Sequence, residues 1–360
     1  MPQRERVNAW LKIAGGMLLG AVCLWLSLRN VHLSLFFRAI AEVSWPWVAL
    51  ALAGVTLVGA LKALRWQWLY PPDAFPLPWT THFSILMISQ MLNLLVPVRL
   101  GELARMGLMR QEGRPVGTTL GTIVLEKSLD LLVVPALLLV TVPLALLPGW
   151  LRSRAGAGAL VLAAGLLAAL YLVGRFRGRL VALLGKVPQP THSFWVRWAG
   201  RLRRLLQTTL DSIAALDGPR LARLLALTAA IWLLSAAVLQ AMLIAFRIPA
   251  DWGAAFVLMI GLTFSNWVPT PPAMIGVVGA VTVAALAPFG VPPAQALALG
   301  TVLNVVLVAP PVLLGGWATW TRLWQLRASA KGGRLKRALG LVPSERVDNP
   351  AAESNTDGRE

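Results

Sequence analysis

Apolar stretches of roughly twenty residues recur at 9–28, 45–64, 118–147, 155–174, 224–246 and 294–318, each as long as a bilayer-spanning helix needs to be. Two more, 80–97 and 252–289, are interrupted by proline. Apolar residues make up 57% of the 360 positions and charged residues 13%, about half the charged share of a soluble domain. The longest polar gap, 175–223, is too short to bury a sizeable core of its own. The expected fold is an all-α integral membrane protein. It has about six spanning helices and two broken or re-entrant helical hairpins. The membrane domain is expected over 1–325, followed by a basic, then disordered, cytoplasmic tail over 326–360.

The net charge of +18 follows the spans. Basic residues gather before 9, around Lys62 and Arg65, at 110–117, through 175–223, and after 321, as the positive-inside rule requires of cytoplasmic loops. No nucleic-acid motif accompanies the charge, so nucleic acid is not an expected partner. The expected partners are a membrane phospholipid or lipid-linked substrate, and an anionic lipid surface for the tail. Both termini are expected in the cytoplasm, in a membrane of the bacterial inner-membrane type. The start, with Arg4 and Arg6 before an apolar run, lacks an A-x-A site and reads as an uncleaved helix. Cys23 alone makes no disulfide framework, and no lipoprotein site surrounds it.

The same charge count decides how 80–97 runs. One crossing there would put both 98–117 and the basic loop 175–223 outside. A hairpin that enters from the cytoplasm, turns at Pro97 and returns through 100–112 keeps every basic loop inside. The second half mirrors this plan, breaking at Asn266, Pro269, Pro271 and Pro272, with Gly276 beyond. Halves of about 45–147 and 224–318, each a span, a broken hairpin and a span in opposite orientation, read as an inverted repeat. The alternative is two proline-kinked helices without symmetry. Trp45, Trp47, Trp66, Trp68, Trp317, Trp320 and Trp324 read as interfacial belts. Leu33, Phe36, Phe37 and Ile40 read as a short surface helix, and Trp198 to Ile213 as another.

Ionisable residues at apparent membrane depth are the candidates for function. Arg99, Glu102 and Arg105 share one helical stripe, with Gly101 permitting a turn or close approach. Glu126, Lys127 and Asp130 open a long apolar span. Each charge facing lipid at a helix centre costs about 2.5–3.5 kcal/mol, so these six require partners or water. We expect the two sets, with Asn93, to meet in a polar cavity that binds a polar headgroup. Two alternatives stay open: helix-to-helix pairing with snorkelling side chains, and a proton or ion relay. His32, His82 and His192 have no metal-ligand spacing, and no catalytic motif or cofactor signature occurs. Asn304 reads as an interhelical hydrogen bond.

The run Asn93-Leu-Leu-Val-Pro97-Val-Arg99-Leu-Gly101-Glu102-Leu-Ala-Arg105, followed by Glu126-Lys127-Ser-Leu-Asp130, resembles the signature of the lysylphosphatidylglycerol synthase transmembrane, or flippase-like, family. The resemblance covers most of 10–325 and implies a membrane fold that moves or handles lipids. Two-domain members carry an aminoacyl-transferase domain after the membrane part. None follows the last span here, so aminoacyl transfer is not expected. Lys127 stands where the family usually has arginine, which weakens a bidentate phosphate role there. Gly279 stands where the family usually has an acid after the proline-rich turn. The resemblance implies a lipid or lipid-linked-glycan translocase. A membrane-embedded transferase acting on a lipid phosphate and a non-transporting scaffold are the alternatives.

Overall fold

A chain this apolar must satisfy its backbone hydrogen bonds internally, which in a bilayer leaves helices or a closed barrel. The computed structural model describes residues 32–70, 77–96, 100–141, 161, 218–249, 251–266 and 271–338, and among them every regular element is helical. The expectations for 9–28, 155–174 and the segment 198–213 lie outside the described residues, as do Cys23 and all but the helical start of the tail. Contacts divide the chain into two compact units, Met1–Gly316 and Trp317–Glu360. The hairpins, cavity and charges described below all belong to the first.

Helix α1, Leu33–Ala41, is short, with Phe36 and Ile40 against the core and Leu33 and Phe37 exposed. Two long helices then form the frame: α2, Trp45–Leu69, and α6, Gly218–Ala245. They run antiparallel. At one end the Ser44 N–H donates to the Ala245 carbonyl at 2.9 Å; at the other, Arg220 donates to the Trp68 carbonyl at 2.7 Å and to the Tyr70 carbonyl. Twenty-five residues of helix reach about 37 Å, enough for a hydrocarbon core of about 30 Å. Gly54 lets the two approach closely, since a Cβ there would meet Val238.

Between the frame helices the chain forms two hairpins. The first comprises α3, Trp79–Leu95, and α4, Gly101–Gln111, packed together. Its two ends converge on Tyr70: His82 at the start of α3 meets the ring at 5.5 Å, and Arg114, just past α4, lies over it at 5.5 Å. Residues 79–113 therefore leave and return at the same level. Helix α5, Val116–Thr141, follows. The second hairpin comprises α7, Trp252–Ser265, and α8, Val277–Leu286, with a 3-10 turn at Pro272–Met274 near its tip. Gln295, near the start of α9 (Pro293–Ala338), donates to the Phe246 carbonyl at 2.9 Å, so 247–292 also returns to its own starting level. The first hairpin springs from the Tyr70 end of the frame and the second from the Ala245 end. They meet where α3 touches the Pro272–Met274 turn.

Among the described residues, four segments are long and apolar enough to cross a membrane: Trp45–Leu69, Gly218–Ala245, Pro272–Phe289 and Pro293–Gln325. For the third, geometry outweighs length. Its α-helix has ten residues, about 15 Å, and it folds back beside α7. Ala273 and Met274 at its tip have φ of 54° and 55°, the left-handed region that costs a non-glycine residue roughly 1–2 kcal/mol. Gly276, with φ 79°, adopts a backbone suited to glycine.

Two expectations change. Trp66 is not a belt residue but fully buried, whereas Trp45, Trp68, Trp317, Trp320 and Trp324 are exposed. Asn304 does not use its Oδ1 for an interhelical bond: the atom is buried without a partner among the described residues. Helix α9 runs on through the basic start of the tail, where its Ala-, Leu-, Lys- and Arg-rich sequence favours helix, to Ala338.

Candidate functional site

The site is built where the two hairpins approach the frame. At the tip of the first hairpin, Asn93 acts as a clasp. Its Oδ1 accepts from the Gly101 N–H at 2.8 Å, satisfying one of the orphan donors that open α4, and its Nδ2 donates to Glu102 at 3.3 Å. Gly101 has no room for a side chain, because a Cβ would meet the Ser89 carbonyl and the Asn93 amide. Pro97 and Arg99 lie outside the described residues.

Beyond the clasp the expected charges do meet, in three different ways. Arg105 donates to Glu126 at 2.7 Å, and the two side chains are only 3% and 7% exposed. The Arg105 guanidinium lies 3.9 Å from the centroid of the Trp66 ring, whose N–H donates to Thr122 at 3.0 Å. That pair is buried in the core. Lys127 and Glu102 sit 3.8 Å apart with the lysine 58% exposed, so their attraction is weak. Asp130 takes a partner that charge counting assigns to a loop: Arg65 of α2 donates to it at 2.7 Å. Arg65 is fully buried and also donates to Thr228 at 3.1 Å, while Asp130 keeps 26% of its side chain open.

Asp130 opens into a cavity of about 270 Å³ between α2, α3, α5, α6, α7 and α9. Among the expected charged and amide groups that the structure describes, it is the one that lines this space. The other polar lining is Thr56, Lys62, Gln90, Ser235, Thr263 and Asn266. Asn266, at the end of α7, donates its amide to the Leu262 carbonyl at 2.9 Å. Pro310 and Pro311, inside α9, form part of the wall. Having no N–H, they leave the carbonyls of Val306 and Leu307 without their usual helical donors. Pro271 and Gly276 sit at the tip of the second hairpin, and Pro269 is outside the described residues. The wall thus combines the middle of a frame helix with parts of both hairpins and a proline-interrupted helix.

Compared with known protein families, residues 13–315 match the lysylphosphatidylglycerol synthase TM region. The chain belongs to this family. No curated protein and no solved structure matches it. The matched region takes in both hairpins, the clasp, the three charge pairs and the cavity, so the arrangement above is that of a lysylphosphatidylglycerol synthase membrane region in this chain.

Two departures from the family pattern acquire a physical setting. Lys127 is exposed and loosely paired, so the guanidinium fork has no bidentate task at that position among the described residues. Gly279 of α8 lies where α9 crosses closely. A Cβ on Gly279 would come 2.8 Å from Leu297, and one on Gly300 would come 2.8 Å from Gly279 Cα. A side chain at Gly279 would require the end of Leu297 to shift. Residues missed from sequence are Thr56, Lys62, Arg65, Gln90, Ser235 and Thr263. The available signal was that Lys62 and Arg65 lie three apart before Trp66 and Leu69, and so share one face well inside a helix that extends to Leu69.

Proposed function

We propose that this protein is a lipid or lipid-linked-glycan translocase of a bacterial inner membrane, holding a polar headgroup in the cavity while the acyl chains stay in the bilayer. The observation that carries this reading is the cavity itself: a space of about 270 Å³ halfway along a membrane-length helix, with Lys62 and Asp130 in its wall. Apolar packing alone has no use for such groups at this depth, where each charge costs about 2.5–3.5 kcal/mol. Two hairpins rising from opposite ends of the frame and meeting at this space support an inverted repeat, the plan in which transporter sites lie near the midplane at paired broken helices. Rocking of one hairpin against the other would open the cavity to each side in turn. The basic stretch after Trp320, with Arg322 and Arg327 first, would rest on the anionic cytoplasmic leaflet at about 1 kcal/mol per basic group near the surface.

The test is leaflet exchange. The purified chain is reconstituted into liposomes carrying fluorescent phospholipid, and the lipid reached by a membrane-impermeant quencher is followed over time. Exchange above empty liposomes supports the proposal. Headgroup turnover without exchange would instead favour a transferase, and neither result would leave a scaffold.

A further inference from the structure

We infer that His82 is a pH-sensitive latch at the base of the first hairpin, closed while the imidazole is neutral and loosened when it takes a second proton. The inference stands apart from the cavity and does not depend on what the cavity holds. His82 lies one turn into α3 and is 2% exposed. Its ring meets Trp66 at 5.3 Å and Tyr70 at 5.5 Å, the two aromatic groups at the end of α2. The Arg114 guanidinium, just past α4, lies over the same Tyr70 ring at 5.5 Å. One side chain from the outgoing helix and one from the returning chain thus share a ring of the frame, and the two ends of the hairpin are tied there.

The surroundings suit the neutral ring. Nδ1 is 3.3 Å from the Pro78 carbonyl, a bond that needs the N–H on that nitrogen. Nε2 is then a bare lone pair, buried and without a hydrogen-bond partner. A proton added there finds no acceptor, because the polar tips of both rings are engaged elsewhere: the Trp66 N–H donates to Thr122 and the Tyr70 hydroxyl to Thr119, each at 3.0 Å. The charges nearby are cationic. Arg105 lies over Trp66, Arg114 lies over Tyr70, and Arg220 donates to the Tyr70 carbonyl from the start of α6. Glu126 is already taken by Arg105, and among the described residues no carboxylate pairs with His82. An imidazolium would be a buried cation without an anion beside two guanidiniums. It is relieved by parting the contacts that bury it, and those contacts are the base of the hairpin. The closed base therefore holds fewer protons than the opened chain, whose histidine titrates near about pH 6.5. Its stability is complete above that pH and is lost as the pH falls below it.

Histidine is the side chain that ordinarily titrates between about pH 5 and 8, and the chain has only three, so the response can be assigned. His32 is exposed, and His192 lies outside the described residues. The experiment is thermal melting of the full chain in detergent across that range. On acidification the parent should lose at least about 3 °C more than His82→Gln does, and His32→Gln should follow the parent. Should His82→Gln fail to fold, His82→Phe, which fills the aromatic box without a titrating group, takes its place. Hydrogen–deuterium exchange, corrected for the intrinsic pH dependence of the reaction, then locates the change. At low pH the amides at the two ends of the hairpin, 80–86 and 105–113, should open in the parent before those of α6, and should stay protected in the His82 variant. Equal pH dependence in the parent and the His82 variant overturns the inference. A loss that depends on His82 but spreads evenly over hairpin and frame also overturns it, since the residue would then support the whole fold and not a latch.

Discussion

Arg105–Glu126 and Arg65–Asp130 are the same chemical object, an arginine donating at 2.7 Å to a carboxylate one turn along α5, set in two different surroundings. The first is closed on every side, with Trp66 under the guanidinium. The second is closed around the arginine and open at the carboxylate, which faces a cavity with Lys62 in its wall. A sealed pair has no access to a ligand, and a buried ion pair is weak evidence for net stability. Its role is to be satisfied, and breaking it strands a charge. The open pair holds a carboxylate in place at the edge of a space where something else can bind. Charge at membrane depth is therefore not one category: exposure to a cavity, rather than the presence of charge, separates the packing group from the candidate ligand group.

The largest expected effect falls on the sealed pair. Arg105→Ala should lower stability by about 3–5 kcal/mol, the usual penalty for leaving one buried ion without its partner. Size-exclusion profiles and thermal melts of the detergent-solubilised protein should show most of it unfolded. Combining Arg105→Met with Glu126→Leu should recover much of that loss, as apolar replacements of buried pairs do. If the double variant is as poor as the single one, the pair contributes something beyond mutual neutralisation.

Next comes the hairpin tip that leads into α4 and places Arg105. Gly101→Ala puts a methyl against the Ser89 carbonyl and the Asn93 amide, and should cost about 1–3 kcal/mol by overpacking. The same melts check it, with Gly107→Ala as control, since a Cβ there meets nothing within 4 Å. A smaller effect is expected at the third pair. Lys127→Ala should change stability by no more than about 1 kcal/mol, because Lys127 is largely exposed and 3.8 Å from Glu102. A large loss of stability there would mean that the exposed pair is not the peripheral one.

Much of this arrangement is legible in the sequence. The helices follow from apolar runs that no soluble fold needs, and both hairpins from prolines inside those runs. The meeting of Glu102 and Arg105 with Glu126 and Lys127 follows from opposite charges at membrane depth. What stays hidden has one cause in common. Lys62 and Arg65 stand near the end of an apolar run, where positive-inside counting explains any basic residue, so that bias absorbs two residues of the site. Trp66 is lost the same way, because a tryptophan at a span end reads as a belt. In the structure α2 continues to Leu69, which moves all three inside the helix bundle. The hydroxyl wall from Thr56, Ser235 and Thr263 gives no signal at all, since single hydroxyls in spanning helices commonly bond their own preceding turn. Gly279 reads as a lost acid until the crossing with Gly300 shows what the missing side chain makes room for.

The account turns on the difference between the two pairs, and one paired measurement addresses it: leaflet exchange per folded molecule for Glu126→Gln and Asp130→Asn, side by side in the same liposomes. Both changes keep the shape and a hydrogen-bond acceptor while removing the charge. Glu126→Gln should lower the yield of folded protein and leave the exchange of each surviving molecule close to the parent. Asp130→Asn also leaves a buried arginine without its anion and should cost stability, but it should in addition slow exchange by each folded molecule at least about tenfold. The reverse pattern, or exchange that falls in both variants only in step with folded yield, would contradict the assignment of Asp130 and the cavity to the ligand and leave both pairs as packing.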